Sequence, residues 1–217
     1  MPTASPIRVA VITGVHPYHV PEFQSIFRGF GGMDCYPQNL EDFSTSPDDV
    51  RAWYDALVFY NMHMAPLGEG GWEPAARHAL EQLGETPQGL VILHHAILAW
   101  PEWSLWSEIV GIADRSFSYH YGETVNVEIA DPAHPITAGL SDWTMTDETY
   151  LMASCDAASH VLLTTEHPRS MRTLAWTRPY RQSRVVNFES GHDGQTYADP
   201  NFQAVLANSI RWSAGRL

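Results

Sequence analysis

The chain has 217 residues and a formal net charge of −13, from 25 acidic and 12 basic residues, and every basic residue is an arginine. That length suffices for one α/β domain with a full hydrophobic core. An acidic, lysine-free chain excludes broad phosphate-backbone binding, attachment to an anionic membrane surface, and Schiff-base or Walker-type lysine chemistry, so neither nucleic acid nor membrane is an expected partner.

The elements read in order as one domain over residues 6–217, after a disordered start over residues 1–5. Ile7–Thr13 is a buried, β-branched first strand, too short and wrongly flanked for a signal peptide. Pro21 suits the first turn of a helix whose stripe is Phe23, Ile26, Phe27 and Phe30 and which Gly31-Gly32 stops. Met33–Cys35 is a weak second strand, Ser44–Pro47 a loop, and Ala56–Tyr60 a third strand. The Gly68–Gly71 loop leads into a helix over Trp72–Leu83 with Trp72, Ala76, Ala79, Leu80 and Leu83 on one face. Leu90–Leu93, entered through Pro87 and Gly89, is a continuous apolar run, the signature of a strand buried on both faces. It ends in His94-His95 ahead of a helix over Glu102–Val110, with Gly111 as its C-cap. Strand, sharp turn with reactive side chains, then helix is the layout of a nucleophile elbow, here carrying histidine.

Beyond Tyr119 the pattern shifts to shorter, antiparallel elements at one edge. Val125, Val127 and Ile129 alternate with polar residues, Asp131–Pro135 is a turn that His134 fixes, and Thr146–Leu151 holds Asp147, Glu148 and Tyr150. Val161–Thr165, Thr173–Trp176 and Val185–Phe188 are strands, and Asp199 with Pro200 opens a closing helix buried through Phe202, Val205, Leu206 and Ile210. Buried strands alternating with amphipathic helices imply a mostly parallel sheet covered on both faces. Cys35 and Cys155, far apart and without CxxC spacing, read as small buried hydrophobes of a cytoplasmic, reducing compartment.

Four strands end in histidine: His16 and His19, His63, His94 and His95, and His192. Parallel strands place their carboxyl ends on one edge, where ligands bind, so six of the eleven histidines are expected along one rim. Two chemistries fit. A divalent metal, zinc or similar, would take ligands from His19, His63, His94 or His95, and His192, with Glu148 as carboxylate. Metal-free acid–base work would use His94, His95 and His192, with Asp193 or Glu148 orienting an imidazole. Aromatic residues flank the same ends. Tyr60, Trp100, Trp103 and Tyr121, with Asp193, are candidate substrate contacts for a sugar, whereas Trp72 and Trp106 lie on helix stripes and read as core. Gly191–Gly194 lacks the GxGxxG spacing and a directly following helix, so no nucleotide cofactor is expected. His78, His160 and His167 read as surface residues.

Taken together, Phe59–His63, Leu93–Ala96, Asp131–Ile136, Asp147–Tyr150 and Asn187–Asp193, followed by Asp199–Phe202 and Ile210–Trp212, resemble the trehalose-utilisation (ThuA-like) family of the class I glutamine amidotransferase-like superfamily. The resemblance implies a flavodoxin-like three-layer sandwich with a mostly parallel central sheet, and a role in sugar catabolism, often beside oxidoreductases that make keto-sugars. Amidotransferases need a cysteine at the elbow. This chain has His94-His95 there, so it is not expected to be a glutaminase. The reading is an enzyme acting on a small-molecule sugar or keto-sugar by hydrolysis, elimination or isomerisation: a hydrolase, lyase or isomerase, as a monomer or homodimer. The alternatives are a sugar-binding or regulatory module that has kept the fold and lost the nucleophile, and a structural subunit of a larger complex.

Overall fold

The apolar runs read from the sequence form the middle of a nine-stranded sheet in the computed structural model, which describes residues 5–217. The start expected to be disordered lies, apart from Ser5, outside the described residues. In chain order the elements are β1 (Ile7–Gly14), α1 (Val20–Gly29), β2 (Met33–Asn39), α2 (Leu40–Thr45), α3 (Asp48–Arg51), β3 (Ala56–Asn61), α4 (Glu73–Glu81) and β4 (Gly89–Leu93). A 3-10 turn over His94–Leu98 follows, then α5 (Ser104–Val110), β5 (Ser118–Ile129), β6 (Trp143–Leu151), β7 (His160–Thr164), β8 (Thr173–Tyr180), β9 (Ser183–Phe188), α6 (Gly194–Tyr197) and α7 (Pro200–Ser213).

The strand order is β2-β1-β3-β4-β9-β8-β7-β5-β6. The first five are parallel to one another, and every pairing from β9 through β8, β7 and β5 to β6 is antiparallel. The sheet is therefore mixed, which corrects the expectation of a mostly parallel one. The residues from Ser118 onward supply five full strands, β5 to β9, not a minor edge.

Alternation along the parallel strands explains the layers. Val9, Val11, Val58, Tyr60, Val91 and Leu93 pack on one face with Phe23, Ile26 and Phe27 of α1 and Phe202, Val205 and Leu206 of α7. Ala10, Ile12, Leu57, Phe59, Leu90 and Ile92 pack on the other with α2, α4 and α5. The helix after the elbow starts at Ser104, later than the sequence suggests, because the 3-10 turn intervenes. Trp106 pins that turn by donating its Nε1–H to the Ala96 carbonyl at 2.9 Å. The expected loop at Ser44–Pro47 is mostly the end of α2 and the entry to α3. Cys35 and Cys155 are half-buried, not fully buried, and both are free thiols.

Candidate functional site

The carboxyl ends of β1, β3, β4 and β9 lie on one edge, and a parallel sheet gathers there what the chain disperses. His94 heads the 3-10 turn with φ of 52°, a left-handed conformation costly for a residue with a Cβ. That backbone aims the ring across the β4–β9 boundary. Its Nδ1–H donates to the Glu189 carbonyl at 2.6 Å, so the neutral ring presents a bare Nε2 to the site. Three groups surround that nitrogen: the Tyr150 hydroxyl, which donates to it at 2.9 Å, His192 Nδ1 at 3.3 Å and Glu148 Oε1 at 3.5 Å. Glu148 Oε1 is also 3.5 Å from His192 Nδ1.

Among the described residues, His94, Glu148 and His192 form the one group of three donors close enough to share a metal ion. Tetrahedral zinc with bonds of about 2.0–2.1 Å sets its ligand atoms about 3.3–3.4 Å apart, close to the observed triangle. Histidine ligands generally give their second nitrogen to a carbonyl or carboxylate, as His94 does. Metal-free, the same atoms make a hydrogen-bonded acid–base group.

Burial sets the charges. It pushes His94 down to about 3, lowers His192, and raises Glu148 against the pull of His192. Glu189, fully enclosed and close to Asp147, is held well above the carboxylate range, and its Oε1 accepts the Tyr150 amide at 2.9 Å. Asp147 is raised by burial to about 7, opposed by four donors. These are the amides of Glu148, Gly191 and His192 at 2.8–3.0 Å and the Thr196 hydroxyl at 2.7 Å. The three amides can only donate and favour the ionised carboxylate, while the Thr196 hydroxyl is also 3.0 Å from the Thr146 carbonyl. Asp147 thereby ties the Gly191–His192 loop to β6.

The structure distributes the remaining expected residues. His95 is fully buried with its Nε2–H on the Tyr60 carbonyl at 3.0 Å, and its ring lies 4.3 Å from that of His16. The His16 ring is in turn 6.0 Å from that of His192. Of the expected metal ligands His94, His192 and Glu148 form the triangle, and His19, His63 and His95 do not. His19 stands at the start of α1 and accepts the Gly194 amide at 3.4 Å. His63 lies against Gly14, with its Nδ1 accepting from the Asn61 amide at 3.1 Å. Tyr60, expected to touch substrate, is 1% exposed. Its hydroxyl donates to the Gly191 carbonyl at 2.8 Å and meets that of Tyr197 at 2.6 Å, so it braces the loop instead. Asp193 caps α6 by accepting the Gln195 amide. Tyr121, 62% exposed, sits 5.1 Å from the His192 ring, facing solvent over the cluster. Trp100 is buried and Trp103 half-buried, both in the wall of a neighbouring cavity. His167 is half-buried beside Glu123, not a free surface residue.

Sequence reasoning gave Asp147 and Glu189 no role in the site, and placed His16 on the rim and Tyr150 near it without a role. Asp147 and Glu189 carried a readable signal, acids directly beside or inside strand patterns, where an acid must be paired or functional.

A model of the ThuA family, described as trehalose utilisation, matches residues 31–213. The chain belongs to the ThuA family. No curated protein matches it by sequence. A ThuA-like protein from Parabacteroides merdae is similar in structure, with a TM-score of 0.73 at 19% identity over 96% of this chain and 90% of that one. A cytoplasmic protein, STM3548, from Salmonella typhimurium gives 0.66 at 15% identity over 94% and 98%. A glutamine amidotransferase from Thermotoga maritima gives 0.56 at 9% over 96% and 98%, which relates this ThuA chain to that fold and nothing more. Among the described residues of this ThuA chain, no helix is long and apolar enough to cross a membrane.

Proposed function

We propose that this ThuA-family protein is a cytoplasmic enzyme of sugar catabolism. It acts on a sugar or keto-sugar by hydrolysis, elimination or isomerisation at the His94–Glu148–His192 cluster. The carrying observation is the triangle of donor atoms at 3.3, 3.5 and 3.5 Å, with the His94 tautomer set by the Glu189 carbonyl. The donor set fits zinc or a similar divalent ion, held by His94 Nε2, Glu148 Oε1 and His192 Nδ1. Such an ion supplies Lewis-acid polarisation of a carbonyl or hydroxyl oxygen. The protein's own groups do the rest. The Glu189 carbonyl holds the His94 ring through Nδ1, Asp147 holds the backbone of His192, and Tyr150, Tyr121 and His16 flank the cluster where a sugar would sit. Histidine in place of the elbow cysteine argues against glutaminase chemistry.

Elemental analysis of the purified protein, paired with a turnover screen of ordinary and oxidised disaccharides, tests this. Expected are one divalent metal per chain and conversion of a sugar, both lost in Glu148→Gln with the fold retained. Saturable sugar binding without product would favour the non-catalytic module. Full turnover in Glu148→Gln and His192→Ala would overturn the reading.

A further inference from the structure

A second cavity lies at the far end of the 3-10 turn that begins with His94. It encloses about 190 Å³ and is lined by Met64, Pro66, Leu67, Arg77, Trp100, Glu102 and Trp103. Its wall is built at a cost. Trp100 is 2% exposed yet holds φ of 43°, a left-handed backbone that bulky residues avoid. Three contacts keep it there. Its amide donates to the His63 carbonyl at 2.7 Å, the Arg115 guanidinium donates to the carbonyls of Ala99 and Trp100, and its ring lies parallel to that of His63 at 5.5 Å. Arg115 is itself 3% exposed, and burial lowers its pKa to about 10. Burying a guanidinium on two carbonyls is an expensive way to fix a turn, and core packing alone does not require it. Trp100 Nε1 is buried without a partner.

His63 stands between this cavity's wall and the end of β1, stacked on Trp100 and lying against Gly14. Its Nδ1 accepts from Asn61, which leaves Nε2 as the proton-bearing nitrogen, and burial holds the ring down to about 4, so it is a neutral donor. It lies against Gly14 so closely that a Cβ there would come within 3.0 Å of its Cε1. Two residues beyond Gly14 comes His16, which meets His95 and His192. The junction falls between β1 and β3, where the strand order reverses and an open α/β sheet has its crevice. A 3-10 turn rises about 2 Å per residue, so His94–Leu98 separates cluster and cavity by on the order of 10 Å. That is the reach of two linked sugar rings.

We infer that this cavity is a second sugar subsite, taking the ring of a disaccharide that does not sit on the His94–Glu148–His192 cluster. The inference rests on the sugar reading of that cluster. The volume lies below the roughly 300–1,000 Å³ of pockets for drug-sized ligands, which suits a single ring. The half-buried Trp103 offers aromatic surface for the apolar face of a hexose, backed by the buried Trp100. Arg77, whose guanidinium lies 6.0 Å from the Trp103 ring, and the exposed Glu102 offer charged partners for hydroxyls.

The test is calorimetric titration of the metal-loaded protein with trehalose and with glucose. Wild type is compared with Trp103→Ala, which removes aromatic surface, and Met64→Trp, which fills the cavity from its 40% exposed lip. The inference expects the trehalose-to-glucose affinity ratio to fall about tenfold or more in both variants, a loss of about 1.4 kcal/mol specific to the disaccharide. An unchanged ratio in both, with wild type still binding sugar, overturns the subsite and leaves the cluster reading standing. If neither these sugars nor their oxidised (keto) forms bind wild type, both readings fall.

Discussion

The two halves of the sheet bring different chemistry to the same edge. The parallel half, β2-β1-β3-β4-β9, supplies imidazoles at or just beyond its strand ends: His16, His63, His94, His95 and His192. The antiparallel half supplies acids and hydroxyls from within its strands: Asp147, Glu148 and Tyr150 from β6 and Tyr121 from β5. Neither half makes the cluster alone, and β9 is the seam where they meet, with Glu189 and His192 following it directly. A strand end can offer a flexible turn and an exposed ring. A strand interior holds a carboxylate rigidly in a buried place, which is why Glu148 is only 5% exposed.

The comparison breaks most sharply at Glu148, the one contribution of β6 to the donor triangle. Glu148→Gln keeps size and shape while removing the charge. It is expected to lower metal affinity or turnover by about 100-fold or more, read by competition with a chelator and by initial rates. An unchanged metal content would mean that the parallel half suffices.

Asp147→Asn comes next. Three backbone amides around this carboxylate can only donate, and they reach both of its oxygens, so an amide would turn its own N–H groups toward donors. Losing charge-assisted bonds in a buried place is expected to cost about 3 kcal/mol or more, seen as a lower urea midpoint. The Gly191–His192 loop should exchange its amide hydrogens faster than β4 does.

The halves also differed in how far the sequence revealed them. Strands buried on both faces are long apolar runs, and Ala56–Tyr60, Leu90–Leu93 and Val185–Phe188 were readable for that reason, as were the histidines at their ends. The interior of β6, Thr-Met-Thr-Asp-Glu-Thr-Tyr, has no apolar period to mark its depth in the sheet. What buries Asp147 is a loop arriving from residues 191–196, a contact local pattern cannot display. The same limit explains Tyr60. Its place at a strand end suggested a ligand contact, but its hydroxyl is spent on Gly191 and Tyr197. His63 and His19 stop short of the triangle because chain-end position fixes an edge, not a point on it.

Burial acts on imidazole and carboxyl groups with opposite sign, which pH resolves. His63 is held down to about 4, so the folded state takes its proton later than the unfolded chain does. Its share of stability is full above about pH 6.5 and is lost as pH falls toward 4. Glu189 is held well above the carboxylate range, so its share is full below about pH 4 and declines as pH rises. Relative to wild type, His63→Asn should therefore lose less stability on acidification, and Glu189→Gln less on going toward neutrality. Urea midpoints taken between about pH 4 and pH 7 check both, and parallel curves would show that neither group titrates differently on folding.

The smallest expected effect marks how far the halves are coupled. Asp199 caps α7 beneath the parallel half by accepting the amides of Asn201 and Phe202 at 2.9 and 2.8 Å. Asp199→Ala should cost about 1 kcal/mol of unfolding free energy. Phe202 in the same first turn stacks on Phe188 at 5.3 Å and stands where a Cβ on Gly191 would meet it at 3.3 Å. Fraying of that turn therefore has a direct route to the loop that carries His192. If Asp147 holds the loop by itself, the variant binds metal as wild type does and only its urea midpoint moves. A fall in metal affinity greater than about threefold would mean that α7 packing, not the β6 carboxylate alone, sets where His192 stands.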